Sequence, residues 1–503
     1  MSPRFVCKRL SWLGTAAVLL AGCAVGPDYS RPQIPQTDSY QAEPIPDVTA
    51  STDAAGGQEQ KIRQGADIPG EWWKLFESAS LNDLVADALK TNPDIKSAHA
   101  AVAVAMDNVR AQQALYFPSI SANYTASRNS NGATLAPTLA SGALLFNLYQ
   151  AQLNANWTID IWGGNRRAVE ALRAQADAQR FQLESAYLAL AANVVAAAVQ
   201  EASLREQIAA AEDIVRVEGE SLDILKHQNQ SGQVAGADVA AQEAALAQAQ
   251  QALLPLQKQL AQQRDLLANL AGRTPGNPIS QTFDLDAIHV PQEVPISVPS
   301  KLVEQRPDIR IAEENVHSAS AQIGVAIANM LPNIAITAGG GSAGTAMGQL
   351  FTAGSGFWSV AGGVTQPLFD GGALYARTRA ARDAYAQTVA QYQSTVDAAF
   401  QNVADALYAL QYDAKILRAA ATSERAAADS LSITRNQLRL GAVNYVALLA
   451  SQQAYQQAVI NRVQAQAARL SDTAALFQAI GGGWWNRSDI TDERMADEDE
   501  PKK

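Results

Sequence analysis

The stretch "YQAQLNANWTIDIWGG", residues 149–164, sets Tyr149, Ala151, Leu153, Ala155, Trp157, Ile159 and Ile161 against Gln150, Gln152, Asn154, Asn156, Thr158 and Asp160. Alternation this strict belongs to a strand with one apolar and one wetted face. The sequence then changes character: it becomes rich in Ala and Gln, and no proline occurs before Pro255. The strand therefore feeds into a very long helix.

The chain is written twice. Asn92-Pro93-Asp94-Ile95 matches Arg306-Pro307-Asp308-Ile309, and Phe117-Pro118 matches Leu331-Pro332, both 214 residues apart. Ile161-Trp162-Gly163-Gly164 matches Phe369-Asp370-Gly371-Gly372 at 208, and Gly232 matches Gly441 at 209. A period this long is duplication of a large half, not a solenoid unit. Each half is expected to open with a helix, Asp94 to Leu115 and Asp308 to Met330, ended by its apolar residue-Pro pair. Two strands follow: 119–127 and the opening stretch in one half, 333–341 and 357–369 in the other. Alternation alone fits a soluble sheet packed on a helix as well as it fits a membrane strand. In lipid, four strands cannot close a barrel, so several chains must share one.

From Gly372 to Leu440 there is neither Pro nor a further Gly, which at ~1.5 Å per residue allows a helix of roughly 100 Å. Val389, Val396, Val403, Leu410 and Leu417 recur every seven residues, with Phe400, Leu407 and Ala414 between them. Phe181, Leu188, Val195, Ala202 and Ala209 do the same in the first half. These are coiled-coil seams. Each long helix is expected to turn at a glycine, Gly232 or Gly441, and return near Ala237 to Leu270 and Val443 to Ile480. A coiled-coil rod is the ordinary use of such helices, but a rod does not explain why each grows out of a membrane-like strand. A strand barrel continued by a helical barrel explains both.

At 48 % apolar and 17 % charged the 503 residues are too apolar for wholesale disorder. A formal charge of −11 argues against nucleic acid as a partner. Arg4, Lys8 and Arg9 precede the apolar run Leu10 to Ala21, the layout of an export signal. Leu20-Ala21-Gly22-Cys23 resembles the lipobox of bacterial lipoproteins, which implies loss of residues 1–22 and lipidation of Cys23. Ala24, where an Asp would retain the protein at the inner membrane, resembles the outer-membrane sorting signal. Residues 24–69 are Pro-rich and read as an extended strap, and the acidic end from residue 484 reads as a solvated tail. No phosphate-cradling loop occurs, and His99, His227, His289 and His317 are dispersed without ligand spacing. Neither an enzyme, nor a metal, nor a cofactor is expected.

With these residues in view, the chain resembles the TolC-like outer-membrane efflux factors, in the NodT-type lipoprotein branch that serves resistance-nodulation-division pumps. The marks are "CAVGPDY" from Cys23, "WWKLF" from Trp72, "NPDI" from Asn92, "WTIDIWGGNRR" from Trp157, "VPSKLVEQRPDIRIAE" from Val298, "PLFDGG" from Pro367, "LRLGAVNYVALLASQ" from Leu438 and "IGGGW" from Ile480. The resemblance implies a mainly α chain with a transmembrane β portion, three copies of which build a twelve-stranded barrel in the outer membrane, continued by a periplasmic α-helical barrel. It implies an anchored strap over 23–70, repeats over 71–272 and 301–483, and an equatorial belt from 273–300 between them. It further implies a passive exit duct for small molecules, partnered by a periplasmic adaptor, an inner-membrane pump and outer-membrane lipid.

The hairpin turns would then be the periplasmic tip and adaptor-docking surface, around Gly232 and Asp238 in one half and Arg439, Gly441, Tyr445 and Leu449 in the other. Asp238 reads two ways, as a residue that holds a closed tip or as a helix N-terminal carboxylate favoured by the dipole. Where some relatives carry inward carboxylates this chain has Ala447 and Ala450, so Leu449 or Asp238 is left to narrow the mouth. The cargo stays open among drugs, dyes, aromatic acids and metal ions.

Overall fold

The computed structural model describes residues 24–33, 39–132 and 144–487. In chain order it contains strand β1 (Lys61–Gln64), helices α1 (Ala79–Thr91) and α2 (Pro93–Gln113), strands β2 (Ser119–Ser130) and β3 (Leu145–Ile159), and helices α3 (Gly164–Gln230) and α4 (Gly236–Leu270). Strand β4 (Glu293–Ile296), helices α5 (Pro299–Gln305) and α6 (Pro307–Ala328), strands β5 (Asn333–Gly344) and β6 (Gly356–Thr365), and helices α7 (Ala373–Arg439) and α8 (Tyr445–Ala479) follow. Contacts divide the chain into two units.

The first unit holds Ala101–Gln179, Ala312–Tyr392 and the N-terminal segment. Its centre is a four-stranded antiparallel sheet in the order β2-β3-β5-β6. The register puts Ile120 and Tyr124 of β2, Leu145 and Leu153 of β3, Ile336 of β5, and Trp358, Val360 and Val364 of β6 on one face, and all of them are exposed. The strand that opened the sequence reading begins earlier and ends sooner than its alternation suggests. Asp160 and Ile161 lie beyond it, because the Asp160 carboxylate has left the pleat to accept the N–H groups of Asn165 (3.0 Å) and Arg166 (2.9 Å). It caps α3 and satisfies donors that the first helical turn otherwise leaves bare.

The second unit holds Gln33–Ala100, Arg180–Ile311 and the chain from Gln393 onward. Here β1 pairs in parallel with β4, joining the strap to the inter-repeat segment. Trp72 and Phe76 are buried against Phe477 of α8, with the Trp72 and Phe477 rings stacked at 5.4 Å. Both long helices, α3 and α7, run 67 residues. The α7 seam is as expected: Val396, Val403, Leu407, Leu410, Ala414 and Leu417 are buried. On α3 the expectation fails at Ala209, which is exposed, while Ile208 and Ala211 are buried. A strict seven-residue stripe drifts about 20° per heptad on a straight helix, so the buried line steps to the next positions.

Candidate functional site

Two turns, one strap and two free strand edges make up the candidate machinery. The hairpin turns are near copies. Gly232 and Gly441 have φ of +74° and +73°, and each follows a long helix whose last carbonyls are taken up by the turn. Gly232 N–H donates to Asn229 O and Gln233 N–H to Gln228 O, both at 2.9 Å; Gly441 N–H donates to Leu438 O and Ala442 N–H to Gln437 O at the same distance. This is the left-handed helix stop that glycine makes without strain. A Cβ at either position would meet nothing within 4 Å, so backbone conformation alone demands the glycine.

Around these glycines, the sequence-expected residues take ordinary helical roles within the chain. Asp238 accepts the Ala235 N–H at 3.3 Å and so caps the start of α4, while Asn444 does the same for α8 through Ala447 N–H at 3.1 Å. Arg439 donates to the Asn436 side chain. Leu440 (81 %) and Val446 (61 %) are exposed beside Gly441, whereas Leu449 is half-buried. Tyr445, also half-buried, faces Ser221 and Glu218 of α3, and burial pushes its hydroxyl pKa up. Cys23 lies outside the described residues.

Sequence reasoning missed a buried rung near these turns. Gln242 of α4, fully buried, donates to both the carbonyl and the carboxylate of Glu218 on α3. Burial raises the Glu218 pKa, and the Gln242 bond opposes it. In the second hairpin Ser451 and Thr434 make the corresponding contact at 3.0 Å.

The strap is held at two places, and neither was legible from composition. In the first unit Val25 N–H donates to Trp162 O (3.0 Å), Arg167 reaches Asp28 (2.6 Å) and Arg31 reaches Glu313 (3.0 Å). Tyr29 stacks on His317 at 4.3 Å, and the imidazole stands between Glu170 (3.2 Å) and Glu314 (3.3 Å). The hydrogen bond to Glu314, with help from Glu170, lifts the His317 pKa against the effect of burial. In the second unit Arg469 of α8, wholly buried, donates to Gly56 O (2.7 Å), Gln58 O (2.6 Å), Thr49 Oγ1 (3.1 Å) and Gln60 Oε1 (3.3 Å). The "GPDY" run and the invitation of an apolar helix carrying a lone Arg were the available signals. Among the described residues no His, Cys, Asp and Glu group is arranged to hold a metal.

At the sheet, β2 and β6 each pair on one side only. Their other edges present unpaired backbone N–H and C=O groups beside exposed Tyr124, Trp358, Val360 and Val364. Membrane-length strands with such edges, each leading into a helix of 67 residues, define a class: outer-membrane channel subunits that pass directly into helical hairpins.

The sequence profile of the family described as outer membrane efflux protein matches residues 84–273 and 298–482. The chain belongs to that family, and is an export component of the outer membrane. The toluene efflux pump outer membrane protein TtgC of Pseudomonas putida is 29 % identical over 489 residues, covering 96 % of this chain and 97 % of the relative. The cation efflux system protein CusC of Escherichia coli is 27 % identical over 493 residues, covering 96 % and 100 %. Among solved structures, the outer-membrane channel OprN superposes with a TM-score of 0.80 at 25 % identity, over 92 % of this chain and all of that one. The Campylobacter jejuni CmeC outer membrane channel shares the fold with a TM-score of 0.83 at 22 % identity, over 95 % and 98 %.

Proposed function

We propose that three copies of the chain close one twelve-stranded barrel and continue it as a helical barrel, forming a passive exit duct for small molecules. The observation that carries this is the four-stranded sheet whose two outer edges are unpaired and whose large apolar side chains all stand exposed on one face. In lipid each unsatisfied backbone group costs several kcal/mol, and only closure removes the edges. A periplasmic adaptor and an inner-membrane pump supply the cargo and the energy, as the names of the relatives suggest, and the chain performs no catalysis of its own. The turns at Gly232 and Gly441, with Asp238, Arg439, Tyr445 and Leu449, are the adaptor-docking surface; the exposed Leu440 and Val446 favour an apolar knob there.

Cys23 carries lipid, and the segment after it is tied down through Asp28, Tyr29 and Arg31. The β1–β4 pair and the Arg469 clamp belong to an equatorial belt built from the strap and residues 273–300. The alternative, a lipid-anchored rod or adaptor, gives the two bare edges no task. Single-channel recording in a planar bilayer tests the reading: the purified protein is expected to conduct, and a mature protein that inserts without conductance refutes the duct.

A further inference from the structure

The internal duplication carries information about a pairing that a single chain cannot make. Within the chain, the second strand of the first repeat, β3, lies against the first strand of the second repeat, β5. The only other junction of this kind is β6 against β2, which requires a second copy. The two hairpins give the equivalences. Ser119 of β2 faces Asn156 of β3, and Asn333 of β5 faces Thr365 of β6. Since Ser119 and Asn333 stand 214 residues apart, as the flanking Phe117-Pro118 and Leu331-Pro332 do, Asn156 corresponds to Thr365.

Resting on the shared barrel proposed above, we propose that β6 pairs with β2 of a neighbouring copy in the register that β3 and β5 already show. The β3–β5 pairs Gln150–Ala343, Gln152–Gly341, Asn154–Gly339 and Asn156–Thr337 translate into Ser359–Asn129, Ala361–Ser127, Gly363–Thr125 and Thr365–Asn123. The pair Ala155–Ala338 translates into Val364–Tyr124.

Two features not used in the derivation agree with it. First, directly opposed residues share a face of a sheet, and a slip of one residue would turn one strand's apolar side inward. The derived register sets exposed Val364 opposite exposed Tyr124, and polar Ser359 and Thr365 opposite Asn129 and Asn123, so the apolar face runs on across the new seam. Second, Asn131 N–H donates to Leu144 O and Ala343 N–H to Ser355 O. The odd-numbered residues of β2 and β6 therefore spend their backbone groups inside the chain, and the even-numbered ones face the free edges. Val364 and Tyr124 are both even, so their peptide groups meet as an exchanging pair, and the odd pairs fall at the closer, non-bonded positions.

Those close positions suit a disulfide. The only native cysteines are Cys7 and Cys23, both remote from the strands in sequence. The test is oxidation of membranes carrying the full chain with Ser359→Cys and Asn129→Cys together, followed by non-reducing electrophoresis. A second pair, Gly363→Cys with Thr125→Cys, guards against a local folding defect, since a Cβ on Gly363 meets nothing within 4 Å. Both pairs are expected to give covalent dimers and trimers, several-fold more than the slipped pair Ser359→Cys with Ser127→Cys. If the slipped pair crosslinks better than the in-register pairs, this register is wrong while the shared barrel stands. If neither in-register nor slipped pairs crosslink and native mass measurement shows only monomer, the shared barrel falls with it.

Discussion

Replacing Arg469 by methionine is expected to release the strap from α8 while leaving the helices in place. Methionine preserves most of the apolar stem but withdraws the guanidinium from Gly56 O, Gln58 O, Thr49 Oγ1 and Gln60 Oε1. Gln58 is exposed and water can replace its lost bond, and Thr49 keeps the Gln60 N–H at 2.9 Å. The Gln60 side chain is fully buried and keeps only a 3.4 Å contact from its amide nitrogen to Thr473, so its oxygen is left bare. A buried acceptor without a partner costs roughly 1–3 kcal/mol, and the half-buried Gly56 carbonyl adds to it. Relief of the guanidinium's own desolvation offsets part of this; that penalty already holds the Arg469 pKa down at about 10 despite the pull of Asp413. A net loss of about 3 kcal/mol raises local opening roughly 150-fold. Hydrogen exchange reads it directly, because Thr49 N–H donates to Gln60 O, Thr52 N–H to Gly57 O and Ile62 N–H to Asp47 O. Exchange at these amides in Arg469→Met that stays within about threefold of the parent would refute the clamp, since a factor of three is under 1 kcal/mol.

Asp413 faces Arg469 and the Asp472 carboxylate, and burial, reinforced by Asp472, pushes its pKa up to about 7. A raised folded-state pKa means stability that is full below the ordinary carboxylate range and lost as pH climbs through neutrality, so thermal unfolding is expected earlier at pH 8 than at pH 5.5, and Asp413→Asn should flatten that difference. His317 behaves with the same sign: its pKa is raised by Glu314 and Glu170, so protection of the Val25 amide, corrected for intrinsic exchange, is expected to fall between pH 6 and pH 9, and His317→Gln should abolish the fall. Gly441→Val forces a β-branched residue to φ near +73°, at roughly 1–2 kcal/mol or more. Loss of export with the trimer intact is expected, measured by drug susceptibility and crosslinking, while Gly441→Asn, which tolerates that conformation, should keep export.

The order of strands and helices was legible because each period is written locally: two along Tyr149 to Ile159, seven along Val396 to Leu417. Where the reading slipped, a local pattern had been carried past its physical range. Asp160 and Ile161 continue the alternation on paper, yet the needs of the helix N-terminus outrank the pleat. Ala209 continues the heptad, yet a straight helix does not repeat in seven. The strap contacts were illegible for a different reason. Arg469 meets residues more than 400 positions earlier, such as Gln60, 409 residues away, and no periodicity records a pairing that only tertiary packing creates. Glu218 and Gln242 sit 24 residues apart on two strokes of one hairpin, and their polarity reads as surface until the hairpin closes.

The strap also shows where duplication stopped being repetition. Helix α6 supplies Glu313, Glu314, His317 and Gly324 to the N-terminal segment; the positions 214 residues earlier on α2 are His99, Ala100, Ala103 and Arg110. A Cβ on Gly324 would stand 2.7 Å from Val25 O, so a side chain there closes the groove, and Arg110 closes it on α2. The missing carboxylates leave nothing for Arg31 to pair with, and Ala103 offers no ring to stack under Tyr29. Each chain therefore has one berth for the segment that follows Cys23, not two. In the proposed trimer, six helices of similar sequence would surround the base of the barrel, and only alternate ones could hold an anchor. The duplicated halves keep the same backbone plan because the barrel needs equivalent strands and hairpins, and they differ in side chains where only one copy of a partner exists. The same reasoning separates Gln242 and Glu218 in one hairpin from Ser451 and Thr434 in the other: equal geometry, unequal chemistry, and hence two tips that an adaptor can tell apart.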